Sequence, residues 1–173
     1  MRTRPVGSAV GALAGLVFAL VNAGQLPGAL AVRLAAVVAF AAIIWFVVVR
    51  GPGVEQEPPS RAALRTYGVS VTAMVVAIPV GAAVLTNVLD RPNAVPVWVV
   101  FLVGAHFLPF AHAFDLPVFG WLSAALVLVA LVGAVPTIAS DSATASGWTG
   151  VVAGFVLLAF AAAGPRLTRE ARG

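Results

Sequence analysis

Residues Ala29 to Val49 read ALAVRLAAVVAFAAIIWFVVV, and they are bounded by Pro27-Gly28 on one side and Arg50-Gly51-Pro52-Gly53 on the other. Proline and glycine at those positions are turn and stop signals. The run between them carries one charge, Arg33, and is long enough as an α-helix to cross a hydrocarbon core about 30 Å thick. A soluble domain has no use for such a stretch, so its reading sets the class of the whole chain: an all-α, polytopic membrane protein.

Five more apolar runs flank this one, giving expected spans at about 6–23, 29–49, 67–89, 94–114, 116–135 and 147–163. They form a single transmembrane domain over residues 1–173. Composition agrees, since 61% of residues are hydrophobic, 9% are charged and the mean hydropathy is +1.06. A chain of 173 residues cannot bury that much apolar surface against itself, so the lipid bilayer is the required partner. Beyond lipid, a second copy of the chain or another membrane protein is compatible with such helices.

The ten basic residues are all Arg, against six acids, which leaves a formal charge of +4. They gather at the ends of apolar runs and not in a basic stripe interleaved with aromatics, so nucleic acid is excluded as a partner. Arg without Lys, among abundant Ala, Val and Gly, points to a bacterial source with a GC-rich genome. There is no Cys, which removes disulfides, thiolate metal sites and Cys nucleophiles.

With six spans and the N-terminus inside, Arg2, Arg4, Arg50, Arg61, Arg65, Arg166, Arg169 and Arg172 fall on the cytoplasmic side, and only Arg33 and Arg91 fall outside. That is the positive-inside pattern of a multi-pass plasma-membrane protein with both termini in the cytoplasm. Short connections then predict three antiparallel hairpins, pairing runs one and two, three and four, five and six. The Arg166 to Arg172 tail is expected to favour an anionic inner leaflet.

Local signals refine these spans. The basic start and the Val21-Asn22-Ala23 ending of the first run also fit a cleavable signal peptide. Gly7, Gly11 and Gly15, on one helix face, favour a retained helix that lets a neighbouring backbone approach closely. Ser60 reads as an N-cap for the third run, Asn93 for the fourth and Asp115 for the fifth. Pro79 and Pro109 predict kinks, Pro136 closes the fifth run, and Gly164-Pro165 ends the sixth. Trp45, Trp98, Trp121 and Trp148 read as an interfacial aromatic belt.

Polar residues at membrane depth are the functional candidates, because each needs a partner there. His106 lies near the middle of the fourth run, and His112 and Asp115 lie at its cytoplasmic end. As metal ligands the two imidazoles are poorly placed, since six residues turn a helix roughly 600° and leave them about 120° out of line. His112 and Asp115 share a face only if the helix runs that far. If the chain reverses between Phe114 and Asp115, Ser123 stands level with His106. If it reverses between Arg91 and Pro92, Ala77 is level, a half-turn from the Val75 carbonyl that Pro79 leaves free. Ser123 and Val75 are therefore the expected partners of His106, with Ser123 preferred.

No G-x-S-x-G, H-E-x-x-H or Walker sequence is present, and no acidic pair lies inside a run. The expectation is a non-enzymatic structural or accessory protein without metal or cofactor. The alternative is a small transporter or channel for a proton or an uncharged solute. Residues Gly104 to Ala111, reading GAHFLPFA, resemble a segment of uncharacterised small bacterial multispan integral membrane proteins. The resemblance covers one helix and implies no activity.

Overall fold

A computed structural model describes residues 2–3, 6–51, 54–55 and 60–170, with side chains for 6–51 and 60–164. The side chains of Arg2, Arg4 and the Arg166 to Arg172 tail thus lie outside the described residues. The helices are α1 (Val6–Asn22), α2 (Ala29–Ile43), α3 (Arg61–Asn87), α4 (Val95–Ala113), α5 (Pro117–Ser140) and α6 (Ala143–Glu170). A 3₁₀ turn, Ala23–Gln25, extends α1, and a π-helical turn, Ile44–Val49, extends α2. Two-residue strands β1 (Arg2–Thr3) and β2 (Val54–Glu55) pair antiparallel. Among the described residues, six helices are long and apolar enough to span a membrane.

The surface explains why lipid is needed. Trp121 is 71% exposed and Val88 is 73% exposed, and large apolar side chains like these cover the outside of every helix. A patch of that extent is untenable in water and ordinary in hydrocarbon. Inside, Val100, Leu126 and Leu157 form the centre of the largest apolar core, joined by Val97, Leu122 and Ala153.

The helices pack as a chain of neighbours, α3 on α4, α4 on α5, α5 on α6, α6 on α1 and α1 on α2. The end positions of α3 and α2 explain their low burial. The most extensive interface joins α1 to α6, helices far apart in sequence. Here the backbones touch, because a Cβ on Gly15 would lie 2.6 Å from the Gly154 carbonyl oxygen, and one on Gly154 would lie 2.7 Å from that of Gly15. Gly11 meets Ala161 at an ordinary 3.6 Å, and Gly7 faces open space. The close approach expected along Gly7, Gly11 and Gly15 is therefore confined to Gly15. The glycines that answer it belong to α6, where Gly154 meets α1 and Gly150 makes room for the Asn22 side chain. Sequential contacts Gly11 with Ala161, Gly15 with Gly154 and Asn22 with Gly150 make the pair antiparallel.

Helix ends differ from expectation in four places. Ser60 does cap α3, its Oγ accepting from the Ala63 N–H at 3.1 Å. Asn93 caps nothing; it sits in a 3₁₀ turn, Pro92–Ala94, and donates to the Asp141 carbonyl at 3.0 Å. Asp115 does not cap α5, whose N-cap is Leu116 with Pro117 following. Pro136 lies inside α5, which continues to Ser140, and α6 runs through Gly164-Pro165 to Glu170. A proline removes one helical N–H but does not force termination where neighbouring groups serve the freed carbonyls.

Candidate functional site

Four polar side chains, Arg65, Thr66, Ser70 and His106, line the space where α3 meets α4. Two aromatic contacts hold these helices at a distance. Near the start of α3, Tyr67 stacks on Phe110, with ring centroids 5.2 Å apart. Toward its end, Trp98 fills the space that Gly81 leaves without a Cβ, and its indole N–H donates to the Ala77 carbonyl at 3.1 Å. Trp98 is thus a spacer between helices. Between the two spacers the facing residues are small, chiefly Ala73, Ala77 and Ala105, and a groove of about 510 Å³ remains.

Arg65 stands at one end of this groove, with Thr66, Ser70 and His106 along its wall. The Ser70 hydroxyl donates to the backbone carbonyl of His106 at 3.1 Å and ties the helices together just below the kink-prone Pro109. The His106 ring lies against Phe107 and Phe110, with centroids 4.1 and 5.2 Å away. Its Nδ1 is 2.6 Å from the Val103 carbonyl of its own helix. A carbonyl only accepts, so Nδ1 carries a proton in this contact, and Nε2 has no hydrogen-bond partner among the described residues.

Neither expected partner of His106 makes a hydrogen bond to it among the described residues. Across α4 and α5, Gly104 packs on Leu126 and Val127, and Phe107 stacks on Phe119 at 5.9 Å, so Ser123 lies near the depth of His106. Depth alone does not make a contact, however. Residues on a helix are about 100° apart, so His106 points roughly 200° away from Gly104, which faces α5. Ser123 is buried beneath α4 while His106 faces the α3 groove.

On the other side the register itself differs. Ser70, and not Ala77, is level with His106, as the contacts of Tyr67 with Phe110 and of Ala77 with Trp98 also require. The reversal falls near Val88 because α3 ends at Asn87 and the Arg91 N–H closes onto the Leu85 carbonyl at 2.7 Å. The Val75 carbonyl is thereby carried away from His106.

His112 and Asp115 do not form a helical pair. α4 stops at Ala113, and Asp115 sits in the connection with φ +50°. His112 is exposed, its Nδ1 3.1 Å from the Leu108 carbonyl. No group of three or more metal-ligating side chains occurs among the described residues.

No family model matches this chain, and no curated protein or solved structure matches it either.

Two buried hydroxyls outside the groove escaped the sequence reading. Thr137 Oγ1 and Ser146 Oγ have no hydrogen-bond partner among the described residues, and both belong to the α5–α6 end of the bundle. Polarity alone hid them, since Ser and Thr are common on transmembrane helices and usually bond back to their own backbone. Thr149 does so here, donating to the Ala145 carbonyl at 2.9 Å.

Proposed function

We propose that this chain is a non-catalytic structural or accessory protein of a bacterial cell membrane. It is multi-pass, with its termini in the cytoplasm and its helices arranged as three antiparallel hairpins. The observation carrying the functional reading is how the buried polar side chains are distributed. On α5, Ser123 and Thr137 are both buried, but the buried residues between them are Leu126 and Ala130. Fourteen residues of helix separate the two hydroxyls by about 21 Å, many times the reach of one hydrogen bond. A conduction path needs a continuous polar lining. The apolar core on the bundle axis argues against one, and His106, Ser70 and Thr66 line a groove on its flank instead.

His106 favours a second reading, a small transporter for a proton or an uncharged solute, because its imidazole lines that groove. Proteoliposomes separate the two. The expected result is proton and small-solute flux equal to that of protein-free vesicles. Flux that depends on the protein and falls in His106→Ala would replace the accessory reading with the transport one.

A further inference from the structure

We propose that the groove between α3 and α4 is a binding site for one anionic phospholipid of the leaflet on the Arg65 side. The inference starts from length. α3 has 27 residues, so it is about 40 Å long against a hydrocarbon thickness of about 30 Å. Its first turns, with Arg61 and Arg65, therefore reach the headgroup level, and Arg65 forms one end of the groove. From Arg65 to Ala77, the lining residue whose carbonyl accepts from the Trp98 indole, is about 18 Å of helix, close to the depth of a single leaflet.

The chemistry changes along that length as it does along a phospholipid. The guanidinium of Arg65 comes first, and no carboxylate among the described residues stands against it. It offers a fork of donors suited to a phosphate. The Thr66 hydroxyl follows, at the level where an ester carbonyl could accept from it. Below it the wall is apolar, with Val69, Ala73, Met74, Leu102 and Ala105 leaving room for an acyl chain. Charge decides the occupant. A zwitterionic lipid brings its own cation to Arg65, whereas an anionic lipid does not.

The second groove in the bundle lacks this gradient. It lies between α2 and α6, and its lining, from Ala31 to Ala159, carries no charged side chain.

Trp98 supplies the readout. In a variant with Trp98 as the only tryptophan (Trp45→Phe, Trp121→Phe, Trp148→Phe), the full chain is reconstituted into phosphatidylcholine vesicles. Phosphatidylglycerol or phosphatidylcholine brominated near the chain terminus is then added at rising mole fraction. The expected result is quenching by brominated phosphatidylglycerol that half-saturates at about fivefold lower mole fraction than quenching by the phosphatidylcholine, the preference that one surface Arg confers. Arg65→Gln should abolish the difference while leaving the unquenched spectrum and helix content unchanged. Ala73→Phe, which fills the groove from a position exposed to lipid, should weaken quenching by both. Equal quenching by the two lipids in the Trp98-only protein would overturn the proposal. So would a preference that survives Arg65→Gln, since the headgroup would then sit elsewhere. Glycerol 3-phosphate in solution should not compete, and competition by it would mean that the site takes a free phosphate and not a lipid.

Discussion

Asp90, Asp115 and Asp141 each stand in the connection after a helix, with φ of +51°, +50° and +48°. This left-handed region is one that Asp enters more readily than most residues, because its short polar side chain can serve nearby backbone. Gly28, at φ +81°, does the same work between α1 and α2. Asp115 had two expected roles, as an N-cap and as a partner of His112, and the backbone gives it a different one: it turns the chain so that Leu116 can donate to the Ala111 carbonyl at 3.1 Å. Replacement by glycine should therefore be tolerated, leaving stability within about 1 kcal/mol of the original or slightly above it. Asp115→Val should lose about 1–2 kcal/mol, since a β-branched residue resists positive φ. Reversible unfolding in mixed micelles would measure both, and a glycine variant as damaged as the valine one would return a side-chain role to Asp115.

At the scale of helices, the α1–α6 contact makes a graded forecast from the glycine geometry. Gly7→Ala meets nothing and should raise stability by up to about 1 kcal/mol through helix propensity. Gly11→Ala adds a methyl at ordinary contact and should be neutral. Gly15→Ala drives a methyl into the backbone of Gly154, which cannot swing aside as a side chain would, and should cost about 1–3 kcal/mol. The same unfolding assay ranks the three, and equal effects would mean that α1 does not approach α6 through Gly15. The sequence made the spans legible because hydrocarbon thickness acts directly on run length, and Ser60 was legible because a cap is a local bond. Helix ends at Pro136 and Pro165 were not, since lipid-embedded helices tolerate prolines that would end a helix in water. The partner of His106 required two quantities, depth and azimuth. Depth toward α5 followed from a short turn. Azimuth was also readable, had Gly104 been taken as the face toward α5, but no sequence signal marked where α3 would stop, and its register with α4 depended on that.

For the molecule as a whole, contacts at opposite ends of the bundle bear on how it sits in a membrane. At one end, β1 pairs with β2, which brings the start of the chain beside the connection between α2 and α3. At that same end Gly164 of α6 lies near Ser8 of α1. At the other end, Asn93 from the α3–α4 connection bonds Asp141 from the α5–α6 connection, at 3.0 Å to its carbonyl and 3.2 Å to its carboxylate. Each contact requires its two segments to share a side, and together they fit an even number of crossings before Gly173. Geometry of this kind is indifferent to which side is cytoplasmic; the arginines supply the sign, with Arg50, Arg61 and Arg65 at the β2 end and Arg91 at the Asn93 end. A reporter fused after Gly173 is therefore expected to read cytoplasmic and one inserted at Asp141 to read external. Both reporters on one side would break the six-span arrangement, whereas an exchange of the two would keep the bundle and reverse the role given to arginine. The mass of the mature protein tests the same arrangement independently. Cleavage after Ala23 would remove α1, and with it the helix that makes the most extensive contact with α6, so an N-terminus at Gly24 would leave Gly150 and Gly154 facing lipid and the remaining five spans with termini on opposite sides.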